Sequence, residues 1–403
     1  MEHDFRPVQV LIAGGGVAAL EATLALRTLA AERVAITIVA PELDFTYRPL
    51  AVAEPFRAGE ARRFPLRPLV AAAGAELRQG GIAAVDPDRR VAVKEGGQEE
   101  LPYEVLLLAL GAVPREALPG ALTFRGPGDG PALETLLEQA VDGELRSLVF
   151  ALPGGVTWPL PLYELALLTS TYLVDRGTIG VELILVTPEE SPLSLFGTRA
   201  SEAIRELLTA RGIALRTHSS PLSFEAGALR LAPAGEIEAE AVVALPRLEG
   251  PHLPGVPCDP NGFVPTDEFG RVGSEVDLYA AGDLTQFPLK QGGIATQQAD
   301  TAAASIAARV GADVEPMPFK PVLRGLLLTG MVPRYLRAEV GTADSVVDTE
   351  ALWWPPAKIV GQYLAPFLAE RLGLPATPPW AGVDDVPVEV ALSLHERAAS
   401  ARP

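Results

Sequence analysis

The feature that most constrains the fold is a glycine turn that follows the first apolar segment of the chain. The apolar run Val8–Ala13 is followed by Gly14, Gly15 and Gly16, and then by a helical pattern over residues 20–29. A strand, a glycine turn and a helix in this order form a dinucleotide-binding unit. In such a unit Gly14 would allow the tight turn, and Gly16 would allow the close approach of a pyrophosphate. The alternative interpretation is a glycine turn that binds no ligand.

The end of the second predicted strand is less typical of such a unit. An acidic residue is expected about 20 residues after the glycines, where it accepts a hydrogen bond from a ribose hydroxyl. The strand predicted over residues 34–39 is followed instead by Ala40, Pro41 and Glu42. Either Glu42 binds the ribose, or the backbone alone holds the adenosine end.

A second pattern of this kind lies far downstream. The apolar residues 276–281 precede Gly282 and Asp283, and a loop with Gly292 and Gly293 leads into an alanine-rich helix. A carboxylate at the end of a strand can bind a sugar-alcohol chain, and the N-terminus of a helix stabilises a developing anion. Taken alone, Gly-Asp predicts only a turn.

Together the two segments resemble the pyridine nucleotide–disulfide oxidoreductase superfamily, and within it sulfide:quinone oxidoreductases and type II NADH dehydrogenases. The resemblance extends to about residue 310. It implies an α/β fold with two Rossmann-like dinucleotide-binding domains, the FAD domain being discontinuous, and a C-terminal α+β segment. The expected boundaries are 1–114 and 251–312 for the FAD domain, 115–250 for the second dinucleotide domain, and 313–403 for the C-terminal segment.

The resemblance also implies which residues bind FAD. Asp283 matches the residue that binds the ribityl chain, and Ala19 replaces the third glycine of the turn. Because no His or Cys matches a flavin attachment site, we expect FAD to be bound non-covalently. The implied FAD-binding residues are Gly14, Gly15, Gly16, Val17, Ala18, Ala19, Ala40, Glu42, Arg48, Pro49, Ile82, Ala109, Leu110, Gly111, Gly282, Asp283, Lys290, Gly292, Gly293, Ile294 and Gln297.

The second domain departs from the family pattern after its predicted first strand, residues 147–152. The following loop contains Pro153, Thr157, Trp158 and Pro159 where a glycine fingerprint is expected. Prolines lack the N–H donors that a pyrophosphate needs, and side chains block its approach. NAD(P)H binding in the usual pose is therefore not expected, and a non-standard pose is left open.

The same loop resembles that of sulfide:quinone oxidoreductases, in which a redox cysteine faces the flavin. Trp158 takes the place of this cysteine, and Cys258 is the only cysteine of the chain. A persulfide relay and thiol–disulfide chemistry both need cysteines at the flavin. We therefore expect neither of them here.

Four residues are candidates for catalysis. Glu164 matches a carboxylate that approaches the flavin in the NADH dehydrogenases, although a Glu also suits the first turn of a helix. Lys290 would stabilise an anionic flavin or a quinone oxygen, unless it is a solvated surface lysine. Glu54 is a candidate proton donor. Trp158 would stack on the flavin or on a planar substrate, unless it only packs in the core.

Charge and composition limit the classes of partner that we expect for this protein. The net charge is −18 and no basic run exceeds two residues, which argues against a nucleic-acid partner. No apolar run reaches about 18 residues, and no signal peptide precedes the first strand, so we expect a cytoplasmic protein. His3, His218, His252 and His395 lack metal-ligand spacing, so no metal site is expected.

The C-terminal segment contains an apolar stripe on a predicted helix with Ile359, Tyr363, Phe367 and Leu368. Such a stripe can enter a membrane interface, which would place the protein peripherally on the inner face of a membrane. Pro366 interrupts the stripe, however, and few basic residues flank it. Packing between domains or in a homodimer is therefore the favoured role.

Three functions follow from these patterns. The first is an FAD-dependent oxidoreductase that passes electrons from an unidentified donor to a quinone or another small acceptor. The second is an NAD(P)H:quinone reductase with non-standard nicotinamide binding. The third is a flavin-binding sensor or scaffold without turnover.

Overall fold

The computed structural model describes residues 6–97, 99–274, 277–339 and 345–374. Two parallel five-stranded sheets with helices packed on them confirm the predicted α/β class and its two Rossmann-like domains. The helices are α1 Val17–Ala30, α2 Leu66–Ala72, α3 Gly130–Val141, α4 Leu160–Asp175, α5 Thr198–Ala210, α6 Gly292–Arg309 and α7 Leu364–Arg371. The strands are β1 Val8–Ala13, β2 Val34–Ala40, β3 Asp44–Thr46, β4 Arg63–Pro65, β5 Glu76–Gln79, β6 Ile82–Asp86, β7 Val91–Lys94, β8 Glu100–Pro102, β9 Val105–Leu108, β10 Val113–Arg115, β11 Leu122–Thr123, β12 Ser147–Ala151, β13 Glu182–Val186, β14 Ile213–Arg216, β15 Ser220–Glu225, β16 Ala228–Ala232, β17 Glu236–Glu238, β18 Ala241–Ala244, β19 Arg247–Glu249, β20 Leu278–Ala280, β21 Val322–Leu327, β22 Arg334–Glu339 and β23 Ser345–Asp348.

The first sheet has the strand order β20-β9-β1-β2-β5, and every neighbouring pair is parallel. Its central strand, β1, is an apolar run. This is expected because helices or loops cover both faces of a parallel sheet. The helices α1 and α6 pack against each other, and Ala299, Ala302 and Ala303 are fully buried on α6. Strand β20 and helix α6 follow the second sheet in the chain, so this first unit is discontinuous.

The second sheet has the order β11-β18-β12-β13-β14 and is also parallel throughout. Leucines of α4 fill its core. The antiparallel pair β10 and β19 connects the two sheets, because the chain leaves the first sheet through one strand and returns through the other. The predicted boundaries at residues 114 and 250 lie at this pair, and the domain limits themselves stay a prediction.

The C-terminal segment forms the antiparallel sheet β21-β22-β23 and the helix α7. The predicted helix is corrected here, because α7 begins only at Leu364 and Ile359 and Tyr363 precede it. Pro366 does not interrupt this helix, since it lies in the first turn, where backbone N–H groups have no partner within the helix. Among the described residues, no helix is long and apolar enough to cross a membrane. Residues 375–403 lie outside the described part of the chain.

Candidate functional site

A cavity of about 520 Å³ lies where residues that follow strands of both parallel sheets meet the C-terminal segment. Ligands of α/β proteins bind at this carboxyl edge of the sheets. The wall combines apolar side chains with a few polar groups, as small-molecule sites do. The predicted residues that line the cavity are Arg48, Pro49, Trp158, Glu164, Asp283, Lys290 and Gly292.

The glycine turn of the first sheet has the geometry that a pyrophosphate requires. Gly14 has φ +117°, and a Cβ atom built there would lie 2.2 Å from the carbonyl oxygen of Ala109. Gly16 faces open space, and no side chain caps α1. The first-turn N–H groups, including those of Val17 and Ala18, are therefore left for a ligand. These features fit the diphosphate of the implied FAD.

The other predicted backbone segments converge on the same edge. The Ala109 N–H donates to the Ala13 carbonyl at 2.8 Å, which places Leu110 and Gly111 beside the glycine turn. A Cβ atom on Gly282 would lie 3.1 Å from the Ala18 side chain, so the Gly-Asp turn closes onto α1. The two sequence segments that carry the resemblance therefore meet in space.

The end of β2 does not decide whether Glu42 or the backbone alone would hold the ribose. Glu42 is exposed and lies outside the cavity wall. The side-chain amide of Gln79 donates to the carbonyls of Ala40, Pro41 and Glu42 at 2.7–3.1 Å. Sequence reasoning missed Gln79, although its position at the end of β5 puts it at the same sheet edge. Its side chain orders the backbone that follows β2, where the resemblance implies the adenosine end of FAD.

Asp283 lines the cavity without a hydrogen bond or ion pair to any described residue. Burial raises the pKa of Asp283, and the charges of Lys290 and Arg48 oppose this shift. A half-buried carboxylate without a protein donor can accept hydrogen bonds from a ligand in the cavity. The hydroxyl groups of a ribityl chain are such donors, so Asp283 fits the implied flavin.

Lys290 is buried at 7 % exposure, which excludes the solvated surface interpretation. Its ammonium group donates to the Thr285 carbonyl and lies 3.8 Å from the ring centroid of Phe263. Burial lowers the pKa of Lys290 to about 8, although Asp283 and Asp259 favour its charged form. The lysine therefore brings a titratable cation to the cavity wall.

Glu164 is fully buried on α4 and forms an ion pair with Lys358 of the C-terminal segment. The Lys358 Nζ atom lies 2.6 Å from both carboxylate oxygens, and the Leu328 N–H donates to Oε1 at 2.8 Å. Burial raises the pKa of Glu164, and Lys358 opposes this shift. Sequence reasoning missed Lys358, because nothing local predicts that it meets a residue 194 positions away.

Trp158 lines the cavity and also packs edge-on against Phe196, with ring centroids 5.9 Å apart. The indole therefore packs in the core on Phe196 and also borders the cavity, and its stacking on a flavin or a planar substrate stays a prediction. Its neighbours in the wall include Arg125 and Arg247, which pair with carboxylates of their own segments at 3.3 and 2.9 Å. The wall of the second unit thus combines an aromatic ring and two guanidinium groups with the carboxylate of Glu164.

Three of the predicted residues outside the cavity wall have contacts elsewhere in the fold. The Glu54 carboxylate accepts the Ala61 N–H at 2.8 Å and stabilises a turn. Gln297 bonds to the backbone of Val322 and joins α6 to β21. Ile82 is buried in the core of the first unit. The structure therefore does not bring Glu54 to the other catalytic candidates.

The second domain does not fit a nicotinamide dinucleotide in the usual pose. Pro159 before helix α4 and Pro161 in its first turn carry no N–H, so fewer donors are left for a pyrophosphate. Glu189 follows β13, where an acidic residue would bind a ribose. Its carboxylate instead accepts hydrogen bonds from the Tyr163 hydroxyl at 2.7 Å and the Thr187 hydroxyl at 2.9 Å. Sequence reasoning missed Glu189, although its place after a predicted strand was a usable signal.

No group of three or more metal-ligating side chains occurs within residues 6–97, 99–274, 277–339 and 345–374. His218 and His252 are separate surface or loop residues, and His3 and His395 lie outside the described residues.

Comparison with solved structures finds the same fold in several oxidoreductases. The sulfide:quinone oxidoreductase of Aquifex aeolicus has a TM-score of 0.78 and 16% identity, over 85% of this chain and 86% of that one. A ferredoxin reductase of Rhodopseudomonas palustris has a TM-score of 0.63 and 18% identity, over 83% of each chain. NDH2 of Plasmodium falciparum, solved with NADH, has a TM-score of 0.57 and 14% identity, over 70% and 65%. These similarities show the fold.

No curated protein matches the chain in sequence. The family of pyridine nucleotide-disulphide oxidoreductases matches residues 8–143 and 165–305. The stretch between these two ranges contains the loop with Trp158 and ends at Glu164, where the cavity wall departs from the family pattern. Because the matched residues make up more than half of its length, this chain belongs to the pyridine nucleotide-disulphide oxidoreductase family.

Proposed function

We propose that the protein is an FAD-dependent oxidoreductase that passes electrons from a small donor other than NAD(P)H to a quinone or another small acceptor. Its family makes it an oxidoreductase, and family and fold together imply a flavin. One observation carries the proposal: a cavity joins Asp283 and Lys290 of the first unit to Trp158 and Glu164 of the second. The residues that would face the flavin and those that would face the substrate then line the same cavity.

FAD supplies the redox chemistry when it is bound, since it exchanges electrons with both donors and acceptors. The first-turn N–H groups of α1 would bind its diphosphate, and Asp283 would accept hydrogen bonds from its sugar-alcohol hydroxyls. Lys290 holds a positive charge beside Asp283 and stabilises negative charge that develops on a ligand in the cavity.

The cavity wall opposite Lys290 carries the ion pair of Lys358 and Glu164. Lys358 donates to the buried carboxylate of Glu164, and both side chains line the cavity. An ammonium group has three N–H donors, so Lys358 can also donate to an acceptor oxygen of a ligand in the cavity. Trp158 offers a flat apolar face, which suits a planar acceptor such as a quinone. We therefore propose Glu164, Lys358 and Lys290 as the polar groups that act on the substrate.

An anaerobic titration tests the electron donor. We expect the visible flavin band to stay unchanged in excess NADH or NADPH. The Glu189 carboxylate already accepts hydrogen bonds from two protein hydroxyls, and two prolines remove N–H donors at the start of α4. Photochemical reduction should bleach the band, and a soluble quinone should restore it. Rapid bleaching by NADH would favour the NAD(P)H:quinone reductase. A photoreduced flavin that no quinone reoxidises would favour the sensor or scaffold.

A second prediction concerns Asp283. We expect Asp283→Asn to weaken FAD binding by about 10- to 100-fold, because a charge-assisted hydrogen bond contributes about 1.5–3 kcal/mol. Calorimetric titration of the flavin-free protein with FAD measures the change. Asp313→Asn, an exposed carboxylate just beyond α6, is the control and should leave the affinity unchanged. An unchanged affinity in Asp283→Asn would remove Asp283 from the flavin site.

Partners other than small molecules stay predictions. A homodimer and peripheral contact with a membrane rest on the C-terminal segment, whose residues 375–403 lie outside the description.

A further inference from the structure

Residues 358–364, named the strap here, carry Lys358 into the cavity and are held by polar contacts with the first unit. The Ile359 N–H donates to the Tyr47 hydroxyl at 3.0 Å, and the Thr296 hydroxyl donates to the Val360 carbonyl at 2.8 Å. The strap therefore connects the cavity wall to α1 and α6, and its position determines where the Lys358 ammonium group lies.

The last anchor of the strap is a buried carboxylate. Glu21 on α1 is fully buried and accepts the N–H groups of Tyr363 at 2.9 Å and Leu364 at 2.6 Å. A Cβ atom on Gly361 would lie 2.4 Å from Glu21 Oε2, so the strap backbone lies directly on the carboxylate. This contact also explains why α7 begins at Leu364.

A second carboxyl group meets the first. Asp300 on α6 lies beside Glu21, close enough for a hydrogen bond between the two carboxyl groups when one of them is protonated. Its buried Oδ1 atom has no hydrogen-bond partner among the described residues. Two ionised carboxylates in such contact repel each other, whereas a pair with one proton forms a hydrogen bond. Because the Glu21 oxygens already accept two N–H donors, the shared proton belongs on Asp300.

We propose that Glu21 and Asp300 share one proton and act as positioning residues for the strap, so that loss of this proton frees the strap and withdraws Lys358 from the cavity. The contacts of Glu21 and Asp300 do not depend on the proposed function, and only the consequence for Lys358 rests on it. The phenol of Tyr363 also faces the pair from the strap. Among the described residues, no lysine or arginine forms an ion pair with either carboxyl.

The direction of the pH dependence follows from these contacts. Burial and the Glu21 carboxylate raise the pKa of Asp300 to about 9. Burial also raises the pKa of Glu21, and the two backbone N–H donors oppose that shift. A raised folded-state pKa gives stability that is complete below the unfolded value of Asp, about 3.9, and is lost as the pH rises through about 9. The strap should therefore open more often as the pH approaches 9.

Hydrogen exchange with quenched-flow labelling tests the proposal on the full chain as purified, without any turnover. We expect the protection of a peptide covering residues 358–364 to fall by about tenfold between pH 7 and 9, since one linked proton permits at most tenfold per pH unit. Asp300→Asn keeps a donor to Glu21 at every pH, so its protection should stay high. Comparing proteins at the same pH removes the pH dependence of intrinsic exchange.

Two further variants complete the design. Glu21→Gln offers the strap one acceptor oxygen instead of two, so its protection should be low at every pH. Asp313→Asn should behave like the wild type. Equal pH dependence in the wild type and Asp300→Asn, or a wild type without any, would overturn the proposal. Because no redox step is measured, this outcome is independent of the FAD titrations.

Discussion

Replacing Lys358 by methionine is expected to lower the free energy of unfolding by about 3–5 kcal/mol at pH 8, because it leaves a buried carboxylate without its partner. Glu164 is fully buried, and the Lys358 side chain is 7 % exposed. Solvent therefore cannot replace the two 2.6 Å contacts that the ammonium group makes. Equilibrium unfolding in urea measures the loss.

The loss should depend on pH in a defined direction. In the wild type, burial raises the pKa of Glu164 and Lys358 counteracts part of this shift. Without Lys358 the folded-state pKa rises further above the unfolded value of about 4.3. Stability is then complete below that unfolded value and is lost as the pH rises through the folded one. Lys358→Met should therefore be more destabilised at pH 8 than at pH 5.

The double variant Glu164→Gln with Lys358→Met separates a buried charge from a lost contact. The glutamine oxygen can still accept the Leu328 N–H, and no uncompensated charge is left. Replacing both partners of a buried ion pair is often close to neutral. We expect the double variant to recover most of the loss and to show no pH dependence from this site. A double variant as unstable as Lys358→Met would contradict this account.

Features that depend on local sequence could be predicted. The glycine turn, the strand Val8–Ala13 and the Gly-Asp turn at Asp283 are short patterns in which backbone conformation and neighbouring side chains agree. Their meeting at one sheet edge followed from the family resemblance, because parallel strands present their carboxyl ends together. The fold class and the meeting of these two segments could therefore be predicted from the sequence, and their binding of FAD stays a proposal.

Features that depend on distant contacts could not be predicted. Lys358 meets Glu164 only because Glu21, Thr296 and Tyr47 anchor the strap across the chain. The helix expected to include Ile359 starts later for the same reason, since its backbone donors are used by Glu21. Local periodicity contains no information on such partners.

The alternatives for single residues were decided by burial. Lys290 has a cation–π contact with Phe263 that no spacing in the sequence reveals. Glu54 was placed near the flavin by its neighbours in the sequence, yet its carboxylate turns back to Ala61. The direction in which a side chain points within a loop depends on the packing around the loop, not on the motif.

Gly14→Ala and Gly16→Ala form a matched pair that separates the fold of the glycine turn from its use as a binding site. At Gly14 an alanine would have φ +117° and a Cβ atom 2.2 Å from the Ala109 carbonyl oxygen. Backbone strain and overpacking each cost about 1–3 kcal/mol. We expect Gly14→Ala to lose about 3 kcal/mol or more of unfolding free energy and to purify without flavin.

At Gly16 the backbone is extended, with φ −88°, and a Cβ atom would meet nothing within 4 Å. The protein should therefore keep its stability to within about 1 kcal/mol, since surface changes of this kind have small effects. The added methyl group would lie where the diphosphate approaches α1, so FAD affinity should fall at least about tenfold, or about 1.4 kcal/mol. Urea unfolding and FAD titration of both variants give the two quantities. If Gly16→Ala bound FAD like the wild type, the diphosphate would not lie at this turn, and the flavin site would have to be sought along another part of the cavity.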